Sequence, residues 1–199
     1  MDRLLVGVSG SVAVLNLPPY LATLRAELAG QVRVVMTRQA ARMLPPSTVA
    51  LLCDEVFLEQ EPTTVRKPGH IELARWAEMF VILPATANVI GQAANGLGSN
   101  LLTTTILAAT EPIVFCPNVH PVMWNKAAVQ RNLDTLRRDG HTVIEPVVAN
   151  AYEVDSGEMR ESLVLPEPFL LAQQLEAIYQ DRGTDNPLPG DPLFPPADR

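Results

Sequence analysis

The residues best able to do chemistry lie in short turns, each directly after an apolar run. Gly7-Val8-Ser9-Gly10-Ser11 closes the run Leu4–Val8. Glycine there lets a backbone approach a ligand closely, and free amides at the next helix start attract anions. This is not the GxGxxG dinucleotide fingerprint, because the spacing is wrong and the third glycine is missing. The turn therefore suits one phosphate, as in a mononucleotide, or it is an ordinary strand-to-helix connection. Thr37 ends the run Val32–Met36, where a hydroxyl serves either as helix N-cap or as phosphate ligand. Pro84-Ala85-Thr86-Ala87-Asn88 follows Phe80–Leu83. Its small residues leave room for a flat ring system, and Asn88 can donate and accept at a heterocycle edge. Ser99 and Asn100 cap the following helix and turn polar groups the same way.

Two histidines join this set. His70 follows Gly69 at a helix start, where the positive helix end favours a neutral imidazole suited to accepting a proton. The alternative is a surface or core histidine with no chemical part. His120 lies in the turn after Ile113–Cys116, able to hydrogen-bond a substrate carboxylate or simply to face solvent. Met123 and Trp124 open the next helix, where core packing accounts for both. His141, in the turn after Asp139-Gly140, is assigned no role.

These turns need elements to hold them. Besides the four runs above, Thr142–Ile144 reads as a strand. Helical spacing marks Pro18–Leu28, a stretch through Met43, Ser47–Leu52, His70–Glu78, Ala87–Ala94, Leu101–Ala109, Met123–Arg138 and Phe169–Gln180. Strands alternating with helices predict a doubly wound parallel sheet of five or six strands in a three-layer α/β/α domain. In such a sheet ligands sit at the carboxyl ends of the strands, which is where the turns after Val8, Met36, Leu83 and Cys116 fall. Residues 150–168 are polar and too long for a plain connection, so they are expected to be an irregular segment, either a functional lid or disordered. From Gly183 onward five prolines occur in seventeen residues. The organisation expected is thus one domain over 1–182 and an irregular tail over 183–199.

Composition narrows the classes. A chain of 199 residues with 47% hydrophobic and 19% charged residues can bury a full core. A net charge of −7 argues against nucleic acid, which needs a basic face. No apolar run approaches the roughly 20 residues of a membrane span, and Asp2-Arg3 does not open a signal peptide. The expected address is cytoplasmic. Cys53 and Cys116 are far apart and the histidines are scattered, so neither a disulfide framework nor a metal site is expected.

Four segments in order resemble the signatures of the homo-oligomeric flavin-containing cysteine decarboxylase family. They are His70, PATANV at Pro84–Val89, SNLLT at Ser99–Thr103 and PNVHPVMW at Pro117–Trp124, matching an active-site histidine and the motifs PASANT, DNLLT and PxMNxxMW. The resemblance spans about Leu4 to Ile178 and implies a flavodoxin-like fold, FMN as cofactor, and trimers that sometimes assemble further into dodecamers, with FMN at the trimer contact. By position it implies that Gly10, Ser11, Val12 and Thr37 contact the flavin phosphate and ribityl chain. Thr86, Ala87, Asn88, Ser99 and Asn118 correspond to further flavin contacts. His70 matches the active-site base. His120 stands where the family has the asparagine that holds the substrate carboxylate, and Val119 replaces a methionine; Met123 and the lid's Met159 fall at substrate-binding positions.

The family includes phosphopantothenoylcysteine decarboxylases of coenzyme A synthesis and lantibiotic peptidyl-cysteine decarboxylases. Both must remove CO2 from a cysteine whose carbanion has no electron sink. The family chemistry solves this by oxidation: the thiol loses a proton, hydride passes from Cβ to flavin, and the resulting thioaldehyde accepts the electrons as CO2 leaves. The coenzyme A enzymes then reduce the enethiol, using a lid cysteine as acid. Residues 150–168 contain no cysteine, although Ser156-Gly157-Glu158-Met159-Arg160 resembles the family's GxGRM lid pattern. The expected function is therefore oxidative decarboxylation of the C-terminal cysteine of a lantibiotic-type precursor peptide. The enethiol product leads to S-aminovinyl-cysteine. The rivals are the coenzyme A enzyme and a non-catalytic flavoprotein regulatory subunit; a flavin prenyltransferase lacks the histidine and the PxMNxxMW pattern.

Overall fold

The computed structural model describes residues 1–59, 68–154 and 156–184. Its centre is a parallel sheet of β1 (Arg3–Val8), β2 (Gln31–Met36), β3 (Glu55–Leu58), β4 (Met79–Ala85), β5 (Ile113–Pro117) and β6 (Thr142–Val143). The spatial order is β3-β2-β1-β4-β5-β6, with every pair parallel. With edge strand β3 set aside, the remaining five strands have the flavodoxin-like order, and the winding reverses between β1 and β4.

Strands β4 and β5 are buried at every residue, and β1 at every residue after Arg3. Strands covered on both faces cannot alternate with polar residues, which is why these read as unbroken apolar runs. The pleat still sorts their side chains. Leu4, Val6 and Val8 face one core with α1 (Leu17–Glu27) and α9 (Pro168–Thr184), where Leu21, Leu24, Leu171 and Leu175 cover them. Leu5, Phe80 and Ile82 face the other core, beneath α4 (His70–Trp76), α5 (Ala87–Ala94), α6 (Leu101–Ala108) and α8 (Ala127–Arg138).

Three expectations change. First, β3 was not anticipated: it is four residues long, only Phe57 is buried, and the polar Cys53-Asp54 leads into it. Second, the helix expected over Met123–Arg138 is two. The chain is helical over Pro121–Trp124 (α7), turns extended at Lys126 (ψ 132°), and resumes as α8, while the Gln130 amide donates to the Trp124 carbonyl at 2.7 Å. Third, residues 150–168 are not irregular. Most belong to an antiparallel hairpin of β7 (Val147–Glu153) and β8 (Glu158–Val164).

The hairpin turns at Gly157, whose φ of +69° needs glycine, and the Gly157 amide donates to the Glu153 carbonyl at 2.9 Å. It carries little apolar periodicity because β7 and β8 are largely exposed. The Tyr20 hydroxyl, donating to the Pro166 carbonyl at 2.7 Å, ties the returning chain to α1. The last helix runs to Thr184, so Gly183 and Thr184 extend it; the rest of the proline-rich tail lies outside the described residues. Among the described residues no helix is long and apolar enough to cross a membrane.

Candidate functional site

Where the winding reverses, the ends of β1 and β4 must separate and leave a crevice. Ser9 fastens its floor. The buried hydroxyl donates to the Pro84 carbonyl at 2.7 Å and accepts from the Thr86 amide at 2.9 Å, while the Ser9 amide reaches the same carbonyl at 3.3 Å. That stitch sets Thr86 as N-cap of α5, its hydroxyl accepting from the Val89 amide at 3.4 Å. On the other side the Thr37 amide donates to the Val8 carbonyl at 2.9 Å. The Thr37 hydroxyl caps α2 (Arg38–Met43) through the Ala40 amide at 3.3 Å. Asn100 caps α6, accepting from the Thr103 amide at 3.0 Å, and Thr103 reciprocates to the Asn100 amide at 3.1 Å.

These turns enclose a cavity of about 360 Å³ lined by Ser9, Gly10, Thr37, Arg38, Thr86, Asn88 and their neighbours. The volume and mixed lining are those of a small-molecule site, and the amino ends of α5 and α6 bias it toward an anion. Two details fit a phosphate-bearing ligand. Ser11 has a buried hydroxyl oxygen with no hydrogen-bond partner. A Cβ on Gly10 would lie 2.5 Å from Gln39 Cγ and 3.1 Å from the Ala40 amide nitrogen, so only glycine lets the first turn pack this closely against α2 at the cavity wall.

The cavity thus gathers Gly10, Thr37, Thr86 and Asn88. Ser11 and Val12 continue the first turn, and Ala87 is the first residue of α5. Ser99 is one step removed: Asn100 is the cap that lines the cavity, and the Ser99 hydroxyl donates to Gln92 Oε1 at 2.5 Å. Asn118 follows β5, its amide donating to the Ala85 carbonyl at 3.0 Å. Sequence reasoning missed Arg38 and Glu59, which also line the cavity and approach each other at 3.8 Å. Arg38 beside the helix-opening Thr37 was a usable signal, whereas Glu59 is placed by the unanticipated β3.

His70, His120, Met123 and Met159 do not line the cavity. His70 is exposed at the first position of α4, where Glu72 closes the cap by accepting from the Gly69 amide at 2.8 Å. His120 caps α7: its Nδ1 accepts from the Val122 amide at 3.3 Å, which leaves the proton on Nε2, facing Glu153 Oε1 at 3.3 Å. Glu153 Oε2 accepts from the Ser156 hydroxyl at 2.7 Å and lies 3.5 Å from Arg160 Nε. The Ser156 hydrogen bond, then that of His120, hold the Glu153 carboxyl below its ordinary value. Met159 pairs with Tyr152 across the same hairpin, and Met123 is half-exposed on α7.

Other titratable groups have structural explanations. His141 Nδ1 accepts from the Ile113 amide at 3.1 Å, and burial pushes the imidazole below its ordinary value. Burial drives the Cys116 thiol far above its ordinary value and Cys53 up to about 11, so neither is a ready acid or nucleophile. A wider depression of about 650 Å³, bordered by Asn95, Arg131 and Arg137, lies along α8; Arg137 there is paired with Asp134 and Glu145.

A doubly wound sheet with a capped, phosphate-fitting crevice at its switch point defines a mononucleotide-binding α/β protein. The chain belongs to the Flavoprotein family, which it matches over residues 1–165. It is 41% identical over 182 residues to mersacidin decarboxylase of Bacillus sp. strain HIL-Y85/54728, covering 90% of this chain and 92% of that protein. Among solved structures, the FMN-dependent cysteine decarboxylase SpaF aligns at 37% identity and a TM-score of 0.69, covering 80% of this chain and 89% of that one. The peptidyl-cysteine decarboxylase EpiD aligns at 25% identity and a TM-score of 0.75, covering 87% and 98%.

Proposed function

We infer that this chain is an FMN-dependent decarboxylase acting on the C-terminal cysteine of a lantibiotic-type precursor peptide. The observation that carries the inference is the crevice between β1 and β4, with the orphan Ser11 hydroxyl in the adjoining turn and Gly10 packed close on α2 at its wall, in a chain 41% identical along nearly its whole length to mersacidin decarboxylase. The crevice fits FMN. The Gly10 turn, Ser11, Val12 and Thr37 hold the phosphate and ribityl chain, and Thr86, Ala87, Asn88 and Asn118 form the wall beside the ring, with Asn100 in the place expected of Ser99. Bound there, FMN supplies a hydride acceptor that lets the cysteine carboxylate depart as CO2.

The protein's own groups bind, orient and move protons. His70 takes the proton of the substrate thiol on its imidazole nitrogen. His120, its Nδ1 engaged by the Val122 amide, offers only Nε2–H to the substrate carboxylate, so that group is held at one point and in one direction. Met123 and Met159 give an adaptable apolar surface to the peptide's last residues. No cysteine lies in residues 147–164, and the Cys53 and Cys116 thiols are held in the neutral state, so the chain offers no cysteine acid over the site to return the enethiol to a thiol. The product remains an enethiol, as S-aminovinyl-cysteine formation requires.

Exposed Leu97 (55%) and Leu107 (50%), with Val12 and Leu15 beside the first turn, support a homo-oligomer that covers these apolar groups and closes the site around exposed His70. A trimer, alone or in a dodecamer of trimers, is the assembly proposed. The test is an anaerobic titration of the FMN-loaded protein with a peptide ending in cysteine. Stoichiometric bleaching of the flavin's visible band by the free-acid peptide, but not by the serine-ended one, is expected. Absence of bleaching with a panel of cysteine-ended peptides overturns the reading.

A further inference from the structure

The pairing of His120 with Glu153 has a consequence for how substrate enters. Once Nδ1 accepts from the Val122 amide, His120 has one proton to give, on Nε2, and that proton points at the Glu153 carboxylate. A peptide carboxylate held by the same Nε2–H cannot bind while Glu153 occupies it. Nor can it settle beside Glu153 without placing two carboxylates against one imidazole.

Glu153 has somewhere else to go. Its second oxygen already accepts from Ser156 at 2.7 Å and lies 3.5 Å from Arg160, both on the same hairpin. Loss of His120 therefore leaves the Glu153 charge partnered without refolding the turn. The contact is also light enough to exchange, since the two side chains are 47% and 27% exposed and such pairs are individually weak.

We propose that Glu153 is an internal stand-in for the substrate's terminal carboxylate: it holds His120 in the free protein and docks the β7–β8 hairpin there, and the peptide's own carboxylate displaces it. The proposal rests on the reading of His120 as carboxylate holder and adds to it the group that the substrate must displace. A C-terminal carboxylate can compete for Nε2–H on equal terms, whereas a C-terminal amide lacks the charge to do so. Only a true chain end then frees His120 from Glu153, while the hairpin stays to present Met159 to the peptide.

The test uses the full-length, FMN-loaded protein with ¹³C-labelled histidine, whose three imidazoles are resolved by NMR and assigned with a His120→Asn variant. The probes are N-acetylserine and N-acetylserinamide, which mimic a terminal residue without a reactive thiol. N-acetylserine is expected to move the His120 signal, with half-saturation about two- to fivefold lower in Glu153→Gln, the worth of one exposed ion pair. N-acetylserinamide is expected to leave that signal in place in both proteins. Equal half-saturation, or a higher value in Glu153→Gln, overturns the stand-in role while sparing His120. A His120 signal unmoved by N-acetylserine in either protein overturns the reading of His120 itself, and the proposal with it.

Discussion

Replacing Ser9 by alanine isolates the stitch that holds the crevice open. The substitution removes one oxygen, creates no sizeable cavity and leaves the chain free to keep its conformation. What it deletes is specific: a 2.7 Å donation to the Pro84 carbonyl and a 2.9 Å acceptance from the Thr86 amide, in a residue only 1% exposed. The Pro84 carbonyl keeps a longer bond from the Ser9 amide at 3.3 Å, but the Thr86 N–H loses its acceptor. Losing the buried bond to Pro84 and the part-buried one from Thr86 costs about 1–3 kcal/mol together. For a chain of 150–250 residues each kcal/mol lowers Tm by about 2–4 °C, so a loss of about 2 kcal/mol lowers it by about 4–8 °C. Because Thr86 caps α5 at the cavity, FMN affinity should fall as well. Calorimetric melting of the FMN-free protein at one fixed concentration, followed by flavin titration, measures both effects. A variant that melts within about a degree of the parent and binds FMN equally well refutes the reasoning.

Gly10→Ala should weaken FMN binding about tenfold or more, because the new Cβ collides with Gln39 and crowds the Ala40 amide; fluorescence titration with unchanged affinity contradicts this. His70→Asn should retain bound FMN yet lose about 10²-fold or more in turnover, the worth of a positioned base; normal turnover removes His70 from the mechanism. Asp54 gives a pH prediction. The hydrogen bond from Arg25, aided by the Val32 amide, lowers its carboxyl pKa after folding, so its stabilisation is complete above the ordinary value of about 3.9 and drains away as pH falls through the lower folded value. Urea unfolding should therefore find Asp54→Asn less stable than the parent at pH 7, with the gap closing toward pH 3. A gap independent of pH refutes the assignment.

The sheet was legible where burial is complete. β1, β4 and β5 are covered on both faces and stand out as apolar runs, and the turns after β1 and β4 announce themselves by small residues beside hydroxyls. β3 was illegible because an edge strand of four residues is stabilised by its pairing with β2, in which Met36 meets Leu58, rather than by its own side chains. Glu59, carried into the cavity by that strand, was lost with it. The hairpin hid for a related reason: its exposed faces have no apolar alternation, and only the glycine turn hinted at its centre. The His120–Glu153 contact joins residues 33 apart, beyond anything local periodicity reports. The family motifs located His120 but said nothing of what it touches.

The measurement closest to the central claim is a mass spectrum after incubation in air with FMN. The mixture holds a peptide ending in cysteine and free phosphopantothenoylcysteine. Loss of CO2 and two hydrogens from the peptide, with the small molecule untouched, is the predicted result. Loss of CO2 alone from phosphopantothenoylcysteine, with the peptide intact, contradicts the account and assigns the chain to the coenzyme A branch.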